Sequence, residues 1–208
     1  MANANGLTIW NILRPTSYPF AALTPINAGS TKGVIHAAEL RSVLARLSSA
    51  LPEVSPFAHV PGTHFARWQV IDDMPQLGCP TEEDRLQSKY LLLESDFDGD
   101  RDRWIDAFAT AMPETITAVY RHCLGFPGVD DLPSFRRYLV QCQLDTTLGF
   151  TPYPTATLPS VLHALETQRR FVSFVRTMQG ETDQRRRVAF TDFVKRMRSA
   201  PIPLAGQP

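Results

Sequence analysis

The fold is decided by residues 89–128, which read KYLLLESDFDGDRDRWIDAFATAMPETITAVYRHCLGFPG. The apolar run 89–94 predicts a strand, and the acidic, glycine-containing run 96–102 predicts a loop after it. Between residues 102 and 123 apolar side chains recur at spacings of three and four, which predicts an amphipathic helix that Pro113 kinks or splits. Four alternately spaced aspartates precede this helix and a His-Cys pair ends it, so the unit concentrates reactive side chains.

The segments on either side complete an α+β pattern. A first strand is predicted at 20–26, a helix at 34–51 and a second strand at 64–71. The strands at 64–71 and 89–94 follow one another without a long helix between them, which implies an antiparallel pair. Residues 137–144 alternate apolar and polar side chains and are predicted as the last strand. This order predicts a ferredoxin-like β-α-β-β-α-β antiparallel sheet with helices on one face.

The chain is expected to have one main domain with appendages. Residues 1–19 are predicted to form an N-terminal arm, and residues 20–157 the ferredoxin-like domain. Residues 158–199 predict a C-terminal extension of two helices, and residues 200–208 a flexible tail. Within the domain, the polar segment 75–88 is predicted to be a surface loop.

Charge is balanced over the whole chain but uneven along it. There are 21 Lys and Arg against 21 Asp and Glu, so no whole-protein attraction to nucleic acid or to an anionic membrane follows. Residues 165–199 hold nine basic and four acidic side chains, a net of +5, and the remainder carries −5. This basic segment is either a solvated helix face or a docking segment for an acidic protein partner.

The residue patterns exclude several common classes of protein. Three cysteines without C-x-x-C spacing, no signal-peptide pattern and no run of 18 apolar residues predict a cytoplasmic protein with no membrane partner. The nucleotide, hydrolase and zincin signatures are absent. The basic run Arg185-Arg186-Arg187 lacks interleaved aromatic residues, so no nucleic acid partner is predicted.

The predicted strand 64–71 has two different faces. His64, Ala66, Trp68 and Val70 form an apolar face toward the core, while Phe65, Arg67, Gln69 and Ile71 form a mixed face. Leu139, Gln141 and Gln143 of the predicted last strand extend the mixed face, which suits a cavity or a partly polar interface. Arg67, Gln69 and Gln141 are therefore the candidate cofactor-binding residues. Arg67 is expected to pair with Glu94 or to hold a ligand carboxylate or a haem propionate.

The candidate catalytic residues are His122, His64 and Arg67. His64 is either a buried, hydrogen-bonded histidine or a site residue. His122 either caps the helix or acts as a haem ligand, a metal ligand or an acid/base beside Cys123, although a helix C-terminus disfavours a thiolate. His36 is expected on the surface.

The acidic run 96–102 does not fit a calcium-binding loop. Counted from Asp96, the positions that need glycine and glutamate hold Arg101 and Ala107. The run is therefore read as a turn at Gly99 followed by an aspartate that caps the helix, and no metal site is predicted.

Three runs together resemble a pattern in uncharacterised bacterial proteins related to the dimeric α/β-barrel superfamily. They are His64-Phe65-Ala66-Arg67-Trp68, residues 94–100 and residues 122–127, within a resemblance that spans about residues 18–177. The resemblance implies a homo-oligomer with the ferredoxin-like fold. It also implies a small-molecule-binding protein or an oxidative enzyme of the peroxidase or monooxygenase kind, with haem as a possible cofactor. The alternative is a non-catalytic dimeric assembly module with a basic helical tail.

Overall fold

The structure is a computed structural model that describes residues 16–31, 33–48, 55–73, 86–151 and 153–203. Most of the predicted N-terminal arm and of the predicted loop at 75–88 lies outside these ranges. The end of that predicted arm belongs to the first strand, which begins at Ser17.

The described chain is an α+β protein, as predicted. Its strands are β1 (Ser17–Pro25), β2 (Ser30–Thr31), β3 (Val34–Ile35), β4 (Thr63–Ile71), β5 (Tyr90–Asp98) and β6 (Gln143–Leu144). Its α-helices are α1 (His36–Ser48), α2 (Arg101–Ala111), α3 (Pro113–Tyr120), α4 (Leu132–Gln141), α5 (Leu158–Thr177) and α6 (Asp183–Arg198). A single 3-10 turn, Pro56–His59, precedes β4.

The main sheet has four antiparallel strands in the order β4-β5-β1-β6. Strands β1 and β5 lie at its centre and pair along their whole length, from Ser17 opposite Asp98 to Pro25 opposite Tyr90. The predicted antiparallel pair of β4 and β5 is confirmed. Two short strands, β2 and β3, form a separate hairpin before α1.

The two faces of the sheet differ in burial because successive side chains along each strand point to opposite faces. One face is buried, with Phe20 and Ala22 of β1 beside Leu91, Leu93 and Phe97 of β5. Helices α1 to α4 supply the other side of this core through Leu40, Ile105, Phe108, Ile116, Val119, Tyr120, Phe135 and Leu139. The opposite face, which we call the open face, carries half-buried or exposed residues such as Leu23, Leu92, Glu94 and Phe65.

The acidic run does not form the predicted loop, because β5 continues through Asp98. Asp96 and Asp98 take outward positions of the strand while Ser95 and Phe97 point inward, which preserves the period of two. The turn at Gly99 is confirmed by its positive φ of 88°. Asp100 caps α2, since its carboxylate accepts a hydrogen bond from the Arg103 amide at 3.0 Å.

The prediction of a strand at 137–144 is wrong, because α4 extends to Gln141 and only the two residues of β6 follow as a strand. Residues 137–144 fit both the alternation of a strand and the spacing of a helix, and the helix buries more aromatic surface. Phe135, Tyr138 and Leu139 share the buried side of α4, where the Phe135 ring lies 6.3 Å from Phe108 and 6.0 Å from Tyr120. Leu139 and Gln141 therefore do not belong to the open face.

The predicted break at Pro113 is confirmed. Helix α2 ends at Ala111, Met112 adopts an extended φ of −146°, and Pro113 begins α3. Proline suits a first helical position because it has no amide hydrogen to leave unpaired. The break lets both short helices direct apolar residues into the core.

Stacked aromatic rings form the centre of the core. Trp104 stacks on Phe97 at 4.3 Å and on Phe108 at 5.1 Å, and Phe57 lies 4.5 Å from Trp68. The indole nitrogen of Trp104 also donates to the Thr63 hydroxyl at 2.9 Å, so the core fixes the start of β4.

Replacing Phe108 with alanine should therefore destabilise the protein by about 3–5 kcal/mol, because a fully buried ring is lost and leaves a cavity. The matched control is Phe150→Ala, where the ring is 88% exposed and the expected change is below about 0.5 kcal/mol. Urea unfolding followed by circular dichroism measures both. Equal losses for the two variants would contradict this description of the core.

Candidate functional site

A β-bulge at the start of β4 places His64 in a cavity rather than in the core. Thr63 pairs with Phe97 and Phe65 pairs with Asp96, so His64 is an extra residue in the ladder. A bulge redirects a side chain, and the predicted core-facing position of His64 is wrong for this reason. The Thr63 side chain takes the core-facing place instead, where it accepts from Trp104.

Asp98 holds the bulge and the C-terminal helices together. Its Oδ1 lies 2.8 Å from His64 Nε2, and its Oδ2 accepts a hydrogen bond from the Leu158 amide at 2.7 Å. A carboxylate has only acceptors, so Nε2 of His64 is the donor and Nδ1 of the neutral imidazole is left as an acceptor. The Leu158 amide belongs to the first turn of α5, where the helix dipole favours a negative charge.

Gly62 allows the strands to approach at the bulge. The Asp98 amide donates to the Gly62 carbonyl at 2.9 Å, and Gly62 has a φ of 74°. A Cβ atom at this position would lie 3.3 Å from Asp98 Cβ. Glycine is therefore favoured by both the backbone conformation and the space. The Pro61-Gly62 pair before the strand was the sequence signal that could have indicated the bulge.

A cavity of about 500 Å³ lies at this end of the open face. Its floor is formed by β1, β4 and β5, and its walls by residues of the range 146–151, by Tyr153 and Ala156, and by Val161 in the first turn of α5. The apolar part of the lining comes from Ala21, Phe65, Leu148, Phe150, Tyr153 and Val161, and the polar part from His64, Glu94 and Asp96.

The carboxylates of the cavity have different environments. Glu94 forms an ion pair with Arg67, which is one of the predicted alternatives for this arginine, and the Arg67 guanidinium also lies 5.8 Å from the centre of the Phe65 ring. Desolvation raises the pKa of Asp96 above its usual value, and Glu94 adds to this effect while His64 opposes it. The cavity therefore combines a carboxyl that is easier to protonate with an imidazole oriented by Asp98.

The predicted candidates do not all come together. His64 lines the cavity, and Arg67 pairs with Glu94, which also lines it, but Gln69 lies further along β4 and Gln141 at the exposed end of α4. Gln143 donates to the Tyr18 hydroxyl and accepts from Arg101, so it is engaged elsewhere. The sequence reading missed Asp96 and Asp98 as site residues because it assigned them to a turn.

His122 does not line this cavity and instead pairs with His36. Their Nδ1 atoms are 3.2 Å apart, and His122 is 3% exposed, with no hydrogen-bond partner for its Nε2 among the described residues. His36 is half-buried, so the expectation that it lies on the surface is wrong. Burial lowers the pKa of His122, with Arg121 and His36 adding to the effect and Glu39 opposing it.

Cys123 is not a candidate nucleophile. It is 2% exposed, and burial raises the pKa of its thiol to about 12 although the Thr24 hydroxyl opposes the shift. The thiolate needed for nucleophilic attack is therefore not populated near neutral pH. Within the described residues, no group of three or more His, Cys, Asp and Glu side chains is arranged to hold a metal ion.

A scan of the sequence against protein-family models finds no match, and searches of curated proteins and of solved structures find none either. Among the helices of the described ranges, none is long and apolar enough to cross a membrane.

Replacing Asp98 with alanine should destabilise the protein by about 1–3 kcal/mol, since two buried or half-buried donors lose their acceptor. Hydrogen exchange should also accelerate at the first amides of α5. Asp145→Ala, which removes an exposed carboxylate, is the matched control. Unchanged exchange at Leu158 in the Asp98→Ala protein would show that this carboxylate does not hold the helix.

Stability should fall as the pH decreases through the unfolded-state histidine pKa of about 6.5, because the folded state resists protonation of His122. The contribution is fully present above that pH and is lost below it, with a slope of at most about 1.4 kcal/mol per pH unit for one histidine. Urea unfolding at pH 7.5 and 5.0 measures the effect.

The same measurement on His122→Gln should show a smaller pH dependence. His59→Gln, which changes an exposed histidine, should retain the original dependence. If both variants behave like the unmodified protein, His122 does not cause the loss of stability.

Proposed function

We propose that this chain is a small-molecule-binding protein of the ferredoxin-like, dimeric α/β-barrel type, whose ligand site is the cavity beside His64. The observation that carries the proposal is the bulge at Thr63–Phe65, which moves an imidazole from the core side into a half-open cavity. The strand order β4-β5-β1-β6 supports the ferredoxin-like assignment, because β1, the first strand of the main sheet along the chain, lies next to β5, the third. The free thiols of Cys123 and Cys142 support the predicted cytoplasmic setting.

The composition of the lining supports a particular class of ligand. The Phe65, Leu148, Phe150 and Tyr153 side chains suit an aromatic or aliphatic body, and a volume of about 500 Å³ is in the range of small-molecule sites. The Glu94 charge is balanced by Arg67, whereas the Asp96 carboxylate has no hydrogen bond or ion pair within the described chain. A ligand with a cationic or hydrogen-bond-donating group therefore fits better than an anion.

The same groups could transfer protons. His64, held by Asp98, can accept a proton through Nδ1, and the raised pKa of Asp96 keeps its carboxyl protonated to a higher pH than in an ordinary aspartic acid, so that it can act as a proton donor there. These groups would suit the proton-transfer steps of an enzyme of the monooxygenase kind, which is one activity that the resemblance implies, and this activity stays a prediction.

The residues present do not fit a haem in this cavity. His122, the predicted ligand, lies elsewhere and pairs with His36. Glu94 and Asp96 would also repel haem propionates.

A pair of probes of similar size but opposite charge tests the proposal. Phenethylamine and 3-phenylpropionate share an aromatic ring and differ in their charged group. We expect the amine to bind about tenfold more tightly, because Asp96 favours a cation at the cavity. Thermal unfolding at a series of probe concentrations gives both affinities.

Two variants locate the binding. Val161→Trp should fill the cavity and remove the amine-dependent stabilisation, while Thr110→Trp, on the exposed side of α2, should preserve it. Asp96→Asn should remove the preference for the amine. The proposal fails if neither probe stabilises the protein, or if binding is unchanged in Val161→Trp.

A further inference from the structure

Helices α5 and α6 form a hairpin whose contacts lie outside the core beneath the sheet. The rings of Phe171 and Phe174 on α5 contact Phe193 on α6, and the closest pair, Phe174 and Phe193, lies 5.1 Å apart. Phe174 also contacts Phe190 of α6. None of these rings belongs to the core beneath the sheet. The side of α5 that carries Phe174 is therefore the side that packs on α6.

A second side of α5 carries a heptad pattern. Val172 lies on this side, and because two residues of a helix differ in direction by about 200°, it points away from the α6 contact at Phe174. The residues that share this side recur at alternating spacings of three and four, and five of the six are apolar. Such spacing is the a/d pattern by which one helix packs along another in a coiled coil. The six residues are Leu158, Val161, Leu165, Gln168, Val172 and Val175.

The heptad side of α5 is partly covered near the domain and open beyond it. Leu158 and Val161 begin it and are half-buried, and Val161 lines the cavity. The three apolar residues that follow are between 40% and 51% exposed. We call the exposed part the α5 seam, in which Leu165 and Val172 take position a and Gln168 and Val175 take position d. Helix α5 therefore continues past the cavity with an apolar stripe that the described chain leaves about half open.

Arginines line one edge of the α5 seam. Arg169 and Arg176 each follow an a residue by four positions, and both line a shallow groove together with Leu165 and Val172. No acidic residue lines that groove. Arg169 shares Glu166 with another arginine, and Arg176 makes no salt bridge within the described chain. The edge therefore carries positive charge that the hairpin does not balance.

We propose that the α5 seam is a docking site for an acidic amphipathic helix of a partner protein. Such a helix would place apolar side chains between Leu165, Val172 and Val175 and acidic side chains beside Arg169 and Arg176. Charged groups at the edge of a helical seam set the choice of partner, so the two arginines select an acidic helix over a basic one. The seam is a different surface from the ligand cavity, and the inference does not depend on the ligand proposed there.

The charge of the hairpin disfavours a second hairpin of the same kind as the occupant. Residues 165–199 hold nine basic and four acidic side chains, so two of these segments side by side would repel each other. An acidic helix is attracted to the same segment. Both helices would also keep their own backbone hydrogen bonds on docking, so the contact needs only the side chains of the seam and of its edge.

Two helical peptides of three heptads each test the inference. Both carry leucine at positions a and d, and one has glutamate and the other lysine at positions e and g. Repulsion between like charges keeps each peptide from pairing with itself. We expect the glutamate peptide to bind the full chain with a dissociation constant below about 100 µM in about 0.1 M NaCl, and the lysine peptide at least about tenfold more weakly. Fluorescence anisotropy of the labelled peptides measures both.

Charge reversal locates the contact. Arg176→Glu should weaken binding of the glutamate peptide at least about tenfold and strengthen binding of the lysine peptide, because it reverses the charge at the edge of the seam. Arg187→Glu is the matched control, since it makes the same change at an exposed arginine of α6 that does not line this groove. It should leave both affinities within about twofold. Val172→Glu should abolish binding, and circular dichroism confirms that the variants are folded.

Four results would overturn the inference. Neither peptide binds at about 1 mM, or both bind equally well. Arg187→Glu weakens binding as much as Arg176→Glu, which would indicate a general attraction to positive charge. The unmodified chain forms a dimer in light scattering that Val172→Glu dissociates, which would assign the α5 seam to a second copy of this chain.

Discussion

The carboxylate of Asp98 connects three parts of this protein: the central strand β5, the bulge at the start of β4, and the C-terminal helices. It lies at the end of a central strand, orients the imidazole of the bulged residue His64, and caps the first turn of the C-terminal helices through the Leu158 amide. The His64 imidazole and the Leu158 amide would both lose their acceptor if β5 ended two residues earlier. The cavity therefore depends on the length of β5 as much as on the residues that line it.

The core fixes the same region from the other side of the sheet. Trp104 stacks on Phe97 and binds Thr63, so the residues before and after the bulge are held toward the helices while His64 is held away from them. The sheet therefore has an aromatic core on one face and a half-open, partly polar cavity on the other. The covered face stabilises the fold, and the open face provides the surface proposed for the ligand.

The sequence was sufficient to predict features that depend on a pattern repeated over several neighbouring residues. The two faces of β4, the pair of Arg67 with Glu94 and the break at Pro113 all follow from local periodicity or local chemistry. The bulge could not be predicted in the same way, because one extra residue leaves the alternation beyond it intact. Residues 137–144 fit both a helix and a strand, and contacts with distant Phe108 decided the outcome. The contact of His36 with His122 joins residues 86 positions apart, which local patterns do not reveal.

The tautomer of His64 tests the account of the site most directly. A long-range ¹H–¹⁵N correlation spectrum at pH 7.5 distinguishes the two neutral forms of the ring. Because Asp98 can only accept, we predict that Nε2 carries the proton and that Nδ1 is unprotonated and shifts when phenethylamine is added. A ring protonated at Nδ1, or one whose signals are unaffected by the amine, would contradict the proposal that Asp98 orients His64 for a ligand.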